Sequence, residues 1–269
     1  MAKGELILFW ITIGSYLLAG GILFYGLMRK EELLFKFGVW IISMGLAVQT
    51  VALGLRWYHS GHMPGDNLYE LNSVGAWIAV LIYLCLQFYY RNIRVLGAII
   101  LTISILMMLY GISKPHEIGS LYDEYQSGWF YVHILSSFLA YGCYVIATAS
   151  SVFILLRANL ERFQDKLPSS EFLENLSYRL IAYGFGAHAT MLASGSIWAN
   201  KAWGSYWNWD PVETWSLITW LIYAFYLHAR PFLGWKGKRL AWITIFALIA
   251  IIFTFWGVSH LPSKEYRHA

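Results

Sequence analysis

Eight stretches of apolar sequence, each set off from the next by a polar cluster, constrain this chain more than any other feature. They run roughly over 5–28, 34–55, 68–88, 95–112, 130–156, 179–199, 213–229 and 240–259. A hydrocarbon layer about 30 Å thick is crossed by about 20 apolar residues in a helix, and most of these runs reach or approach that length. Lipid offers no partner for backbone N–H and C=O groups, so runs of this kind are expected to be helices. The predicted fold class is an all-α polytopic membrane protein, a bundle of about eight transmembrane helices with a Trp-rich loop on its outer face. With 58% apolar and 13% charged residues, the chain departs from the soluble norm of about 45–50% and about 25%. No soluble domain, low-complexity linker or internal repeat interrupts it, so residues 1–269 are read as a single integral membrane domain. Only Lys3 precedes the first run and no convincing A-x-A site follows it, which points to a retained helix and not a removed signal peptide.

Charge sets the expected orientation. Of 19 Lys and Arg residues, 13 fall in one alternating set of connections, from Arg29, Lys30 and Lys36 to Lys236, Lys238 and Arg239. The positive-inside rule then places both termini and the loops 56–67, 113–129 and 200–212 outside. The net charge of +4 is accounted for by this asymmetry and needs no nucleic-acid partner. The segment from Arg157 to Arg179, with mixed charges and Pro168, is expected as a short amphipathic excursion on the inner side. Cys85 and Cys143 stand alone in apolar runs, which excludes a CxxC centre and a CxxCH haem-attachment site within this chain.

Aromatic residues concentrate between the sixth and seventh runs, in a segment spanning 198–215. Trp203, Tyr206, Trp207 and Trp209 crowd into seven positions, more than a headgroup belt requires. If the loop coils into a short helix, Trp203 and Trp207 share one face with Tyr206 beside them, forming a flat shelf suited to a planar apolar ligand such as a porphyrin. Asp210, Pro211 and Glu213 follow as an N-cap, a first-turn proline and a capping-box partner, so they read as helix-start residues. Asn67 and Glu70 repeat the pattern before the third run.

Depth sorts the eight histidines. His133 lies about one turn inside the fifth run and His260 closes the eighth on the same outer side, at the level of the shelf. Two imidazoles and an aromatic plate at one level match what holding haem iron from both axial sides requires. His228 ends the seventh run on the inner side, and His188, near mid-membrane, is expected to be a packing residue. His59, His62, His116 and His268 are expected as solvated surface groups. Arg56, Lys114 and Lys201 are outer-face cations with two readings, solvated interfacial residues or partners for haem propionates through charge-assisted hydrogen bonds.

The stretch from Trp203 to Trp215 resembles the tryptophan-rich WWD signature of haem-handling membrane proteins. Trp198-Ala-Asn, Tyr226-Leu-His228-Ala-Arg230 and Gly257-Val-Ser-His260 are similar specifically to the CcsA (ResC) type of System II cytochrome c biogenesis, as are Gly61-His-Met-Pro64 and Asn67-Leu-Tyr-Glu70. The resemblance implies a haem-handling subunit of a cytochrome c synthase, which presents haem b as a transient substrate on the outer face for thioether attachment to the CxxCH motif of apocytochrome c. It implies His133 and His260 as axial ligands of the outer haem, and Trp203, Tyr206, Trp207, Trp209 and Asp210 as part of its platform. His228 is implied as an iron ligand for haem held within the membrane. Implied partners are a CcsB (ResB)-type subunit, the apocytochrome and a thiol-reducing protein, in a bacterial inner or thylakoid-type membrane. A competing reading is a haem exporter or chaperone that passes haem to a carrier without forming thioether bonds. The chain offers no nucleophile of its own, so any catalysis is expected to work by proximity and orientation.

Overall fold

The computed structural model describes residues 3–29, 31–118, 126–157 and 167–258. Among the described residues eight α-helices follow one another: α1 (Lys3–Arg29), α2 (Glu32–Ser60), α3 (Leu68–Tyr89), α4 (Gly97–Ile112), α5 (Gly128–Leu156), α6 (Ser170–Trp203), α7 (Pro211–Leu233) and α8 (Lys238–Ile252). A 3₁₀ turn over Arg91–Leu96 leads into α4, and a π-helical turn over Phe253–Gly257 prolongs α8. There is no strand among the described residues. Six of the segments are long and apolar enough to cross a membrane. α6 and α7 are more polar: buried residues include Ser177, His188 and Ser194 on α6 and Ser216, Thr219, Tyr223 and Tyr226 on α7. The chain is an integral membrane protein of the expected class. The end of the bundle bearing the start of α1 is called the outer end below.

Helix boundaries follow local chemistry. Asn67 accepts from the Glu70 N–H at 3.0 Å, and Glu70 returns past it to accept from Gly65 and Asp66 N–H at 2.7 and 3.2 Å. Asp210 accepts from the N–H groups of Val212 and Glu213 at 2.7 and 3.0 Å with Pro211 behind it, so the N-cap expected before α7 is present. α6 begins at Ser170, nine residues before the apolar run, with Ser169 capping Phe172 N–H at 3.1 Å. Residues 170–179 of the expected excursion are therefore the first turns of α6, and residues 158–166 of it lie outside the described residues. Leu173, Leu176 and Leu180 form a buried helical stripe that carries those turns along the bundle despite Glu171, Glu174 and Arg179.

α5 and α6 form the most extensively packed pair and make the spine of the bundle. Small residues bring them close, among them Ala140 and Ala147 of α5 against Gly184 and Ser177 of α6. The Ser177 hydroxyl of α6 reaches across to Ala147 C=O at 3.2 Å. Close approach of this kind substitutes in lipid for a hydrophobic driving force between helices. α1 and α2 pair antiparallel at one side, joined by the buried Tyr16 hydroxyl donating to Gln49 at 2.7 Å.

Candidate functional site

An apolar cavity of about 410 Å³ opens in the outer half of the bundle, with walls drawn from α3 to α8. That size lies within the range of about 300–1,000 Å³ typical of small-molecule sites. Its lining is mostly aliphatic and aromatic, including Tyr141, Trp198, Phe255 and Trp256, and among the described residues His133 is the one histidine in it.

His133 is held in a defined state. Its Nδ1 lies 2.9 Å from the backbone oxygen of Met191 on α6. A carbonyl oxygen only accepts, so Nδ1 carries the hydrogen and Nε2 keeps its lone pair. Imidazoles that bind a metal through one nitrogen ordinarily donate the other N–H in this manner. The Trp198 ring packs 5.9 Å from the imidazole, and Trp203 packs edge-on to Trp198 at 5.1 Å, so an aromatic series leads from the cavity wall to the end of α6.

Beyond Trp203 the structure departs from expectation. Gly204 takes φ 76° and donates its N–H to Asn200 C=O at 2.9 Å, which ends the helix there. Residues 204–210 form an irregular loop, so Trp203 and Trp207 do not share a helical face, and the short-helix shelf is corrected. Ser196 bonding Tyr206 C=O at 2.7 Å and Glu213 accepting Asn208 N–H at 2.8 Å hold the loop down. Trp203, Tyr206 and Trp209 are exposed, while Trp207 is half-buried against Trp209 at 5.7 Å. Trp209 alone among the described non-glycine residues has positive φ, at 56°. The cavity wall takes Trp198 and Val212 from the flanks of this segment and none of its four central aromatics. Asp210 is occupied as the N-cap of α7.

The remaining histidines separate by environment. His188 is 0% exposed, off the cavity wall, with Nδ1 3.5 Å from the Tyr144 hydroxyl and the Tyr141 ring 5.7 Å away. It packs as expected, although its Nε2 has no hydrogen-bond partner. His228 lies on the exposed face of α7, bonded to its own helix at Ala224 C=O and stacked on Phe232. α7 runs on to Leu233, so His228 stands more than a turn before the helix end. His260 and His268 lie outside the described residues. Against expectation, His62 is buried, with Nδ1 3.2 Å from Met63 C=O, and His116 packs on Tyr69 at 5.9 Å.

Arg56 is not a free outer cation. It is 1% exposed, and its guanidinium donates to Glu70 at 2.6 Å and to the carbonyls of His116 and Glu117 at 2.9 and 3.1 Å, with Glu5 3.7 Å away. Buried among these partners, Arg56 lies off the cavity wall and is not presented to a ligand there. The sequence carried a signal for it, since Glu5, Arg56 and Glu70 are opposite charges near the outer ends of three successive apolar runs. Lys114 instead sits over the Tyr110 ring at 4.7 Å, and Tyr110 packs on Trp256 of the cavity wall at 4.8 Å.

These features define a class: a helical membrane protein with a histidine-bearing apolar cavity beneath an aromatic loop. The family described as Cytochrome C assembly protein matches residues 66–263, and the chain belongs to that family. Relatives named Cytochrome c biogenesis protein CcsA include one from Chlamydomonas reinhardtii, 36% identical over 229 residues, which cover 81% of this chain and 65% of that protein. Another from Guillardia theta is 32% identical over 276 residues, covering 93% and 89% of the two chains, and one from Prochlorococcus marinus is 36% identical over 251 residues, covering 80% and 78%. A solved structure titled Cytochrome c Heme Lyase CcmF superposes with a TM-score of 0.73 at 16% identity, over 98% of this chain and 48% of that one, which shows a shared fold.

Proposed function

We propose that this chain is the haem-handling subunit of a System II cytochrome c synthase, holding haem in the outer cavity while a client's CxxCH thiols add to its vinyl groups. One observation carries the reading: His133 lines the cavity as the Nδ1–H tautomer, the state in which Nε2 is available to iron. The walls suit the rest of the ligand, since an apolar enclosure with aromatic rings accommodates a macrocycle by stacking and edge contacts. Haem b is here a substrate that arrives and leaves. His260 is the proposed opposite axial ligand, and Trp203, Tyr206, Trp207 and Trp209 screen the outer side. This chain's own part is to bind, orient and exclude water, because Cys85 and Cys143 are absent from the cavity wall and both thiols come from the client.

His228 on the outward face of α7 is proposed as one ligand of a second, inner haem whose other ligand a CcsB-type subunit supplies. The arrangement fits a bacterial inner or thylakoid-type membrane with both termini outside, and a thiol-reducing protein to keep the client's cysteines available. The test is an absorption spectrum of the purified chain loaded with haem, oxidised and reduced. His133→Ala is expected to lower retained haem or change its spin state, and His188→Ala to do neither. An unchanged spectrum in His133→Ala refutes the assignment.

A further inference from the structure

We infer that Gly195 of α6 is a positioning residue for His133: with the Met191 carbonyl and the Trp198 ring it forms a socket that fixes which imidazole nitrogen faces the cavity. The inference rests on the proposed ligation of haem by His133.

Met191, Gly195 and Trp198 are spaced i, i+4 and i+7, so they form one stripe on α6 turned toward α5. Each does something different to the ring. Met191 C=O takes the Nδ1 hydrogen at 2.9 Å. Trp198 covers the imidazole at 5.9 Å and 36° between planes. Gly195 supplies the space, because a Cβ there would lie 2.5 Å from His133 Nδ1 and 2.9 Å from Cε1. Those distances are below any ordinary van der Waals contact, so even alanine must push the imidazole off α6. The same displacement lengthens the bond to Met191, whose oxygen belongs to the helix backbone and cannot follow the ring. Without that acceptor the tautomer is no longer fixed, and Nε2 is no longer held toward the cavity.

The other glycines of α6 make the comparison clean. Gly186 has nothing within 4 Å of the site of a Cβ, whereas a Cβ on Gly184 would meet Tyr144 Cε1 at 2.7 Å. Gly184 is thus as crowded as Gly195, but by a packing residue absent from the cavity wall. A general packing defect and a specific ligand effect are separable on one helix.

The experiment compares Gly184→Ala, Gly186→Ala, Gly195→Ala and His133→Ala in the full chain, loaded with haem in lipid nanodiscs. The readouts are haem retention, spin state and midpoint potential, alongside thermal unfolding. Loss of a hydrogen-bonded partner behind a metal ligand weakens affinity by about 10–100-fold, which is the expected loss of retention in Gly195→Ala. A changed spin state and a higher midpoint potential should accompany it, since an imidazole that no longer donates from Nδ1 is a poorer electron donor to iron. Gly186→Ala should match the parent, and Gly184→Ala should unfold at lower temperature while its folded fraction keeps the parent spectrum.

Parent spectrum and potential in Gly195→Ala, with both altered in His133→Ala, overturn the socket. No effect of His133→Ala overturns the ligand assignment beneath it. A measurement that needs no substitution stands beside these: ¹⁵N resonances of His133 in the haem-free parent chain should show a protonated Nδ1 and a bare Nε2. The opposite tautomer overturns the socket.

Discussion

Replacing Arg56 with Met keeps a long, unbranched side chain and removes the charge. In the native structure the guanidinium compensates Glu70 directly and Glu5 at 3.7 Å, and it ties the carbonyls of His116 and Glu117 to the outer ends of α1–α3. With both carboxylates 1% exposed, Arg56→Met strands them in an environment where an unpaired charge is strongly unfavourable. Breaking a buried pair by removing one partner costs about 3–5 kcal/mol. At about 1.4 kcal/mol per factor of ten, that lowers the folding equilibrium roughly a hundredfold to a few thousandfold. Thermal unfolding in detergent measures this, and limited proteolysis should show cleavage near residues 113–118 that the parent resists. Combining Arg56→Met with Glu70→Gln should recover part of the loss. Haem retention per folded molecule should match the parent, because Arg56 is buried and lies off the cavity wall. Parent-like stability, or normal folding with haem binding selectively lost, would refute this reasoning.

Asp66, on the loop before α3 and on the cavity wall, is pushed up to about 6 by burial, then by its hydrogen bond with and the charge of Glu70. The fold therefore favours the protonated form: the contribution is complete below the unfolded value of about 3.9 and is lost as pH rises through the folded one. Asp66→Asn should flatten stability against pH between those limits and exceed the parent above them, in unfolding curves taken across that range; parallel curves would contradict it. For His228, coexpression with a CcsB-type subunit should add a second haem signal that His228→Ala removes while the outer signal persists. A second haem in the isolated chain that is lost on His188→Ala would assign the missing ligand to His188 instead.

Hydropathy and capping residues made most of the helices legible: Asn67 and Asp210 cap where their side chains predict, and Gly204 stops α6 by taking a backbone conformation that glycine reaches without strain. The start of α6 is not legible in average hydropathy, because Leu173, Leu176 and Leu180 are spaced by about a turn among charged residues. His133 was legible by depth. Its tautomer was not, since the acceptor is a backbone oxygen 58 residues away and any residue type would have supplied it. Arg56 was misread for a related reason: a lone cation at a helix end looks solvated until the carboxylates of two other helices are placed beside it. The aromatic loop was recognised by composition, but its shape depended on Gly204 and on Ser196, which lies back on the helix and bonds Tyr206.

The two arms of the central hairpin are unequal. Measured from the bond between His133 and Met191, α5 has five residues left before its outer end and α6 has twelve. At about 1.5 Å per residue the arms continue for about 7.5 and about 18 Å. α6 is in effect a cantilever, projecting about two helical turns past its neighbour and carrying the tryptophan loop at its tip. Under the proposed function, a ligand seated on His133 would stay within the apolar layer while its upper edge faced a bracket raised toward water. On the same reading a soluble polypeptide would be met at that bracket, and a lipophilic reactant and a hydrophilic one would share a boundary without either being drawn into the other's solvent.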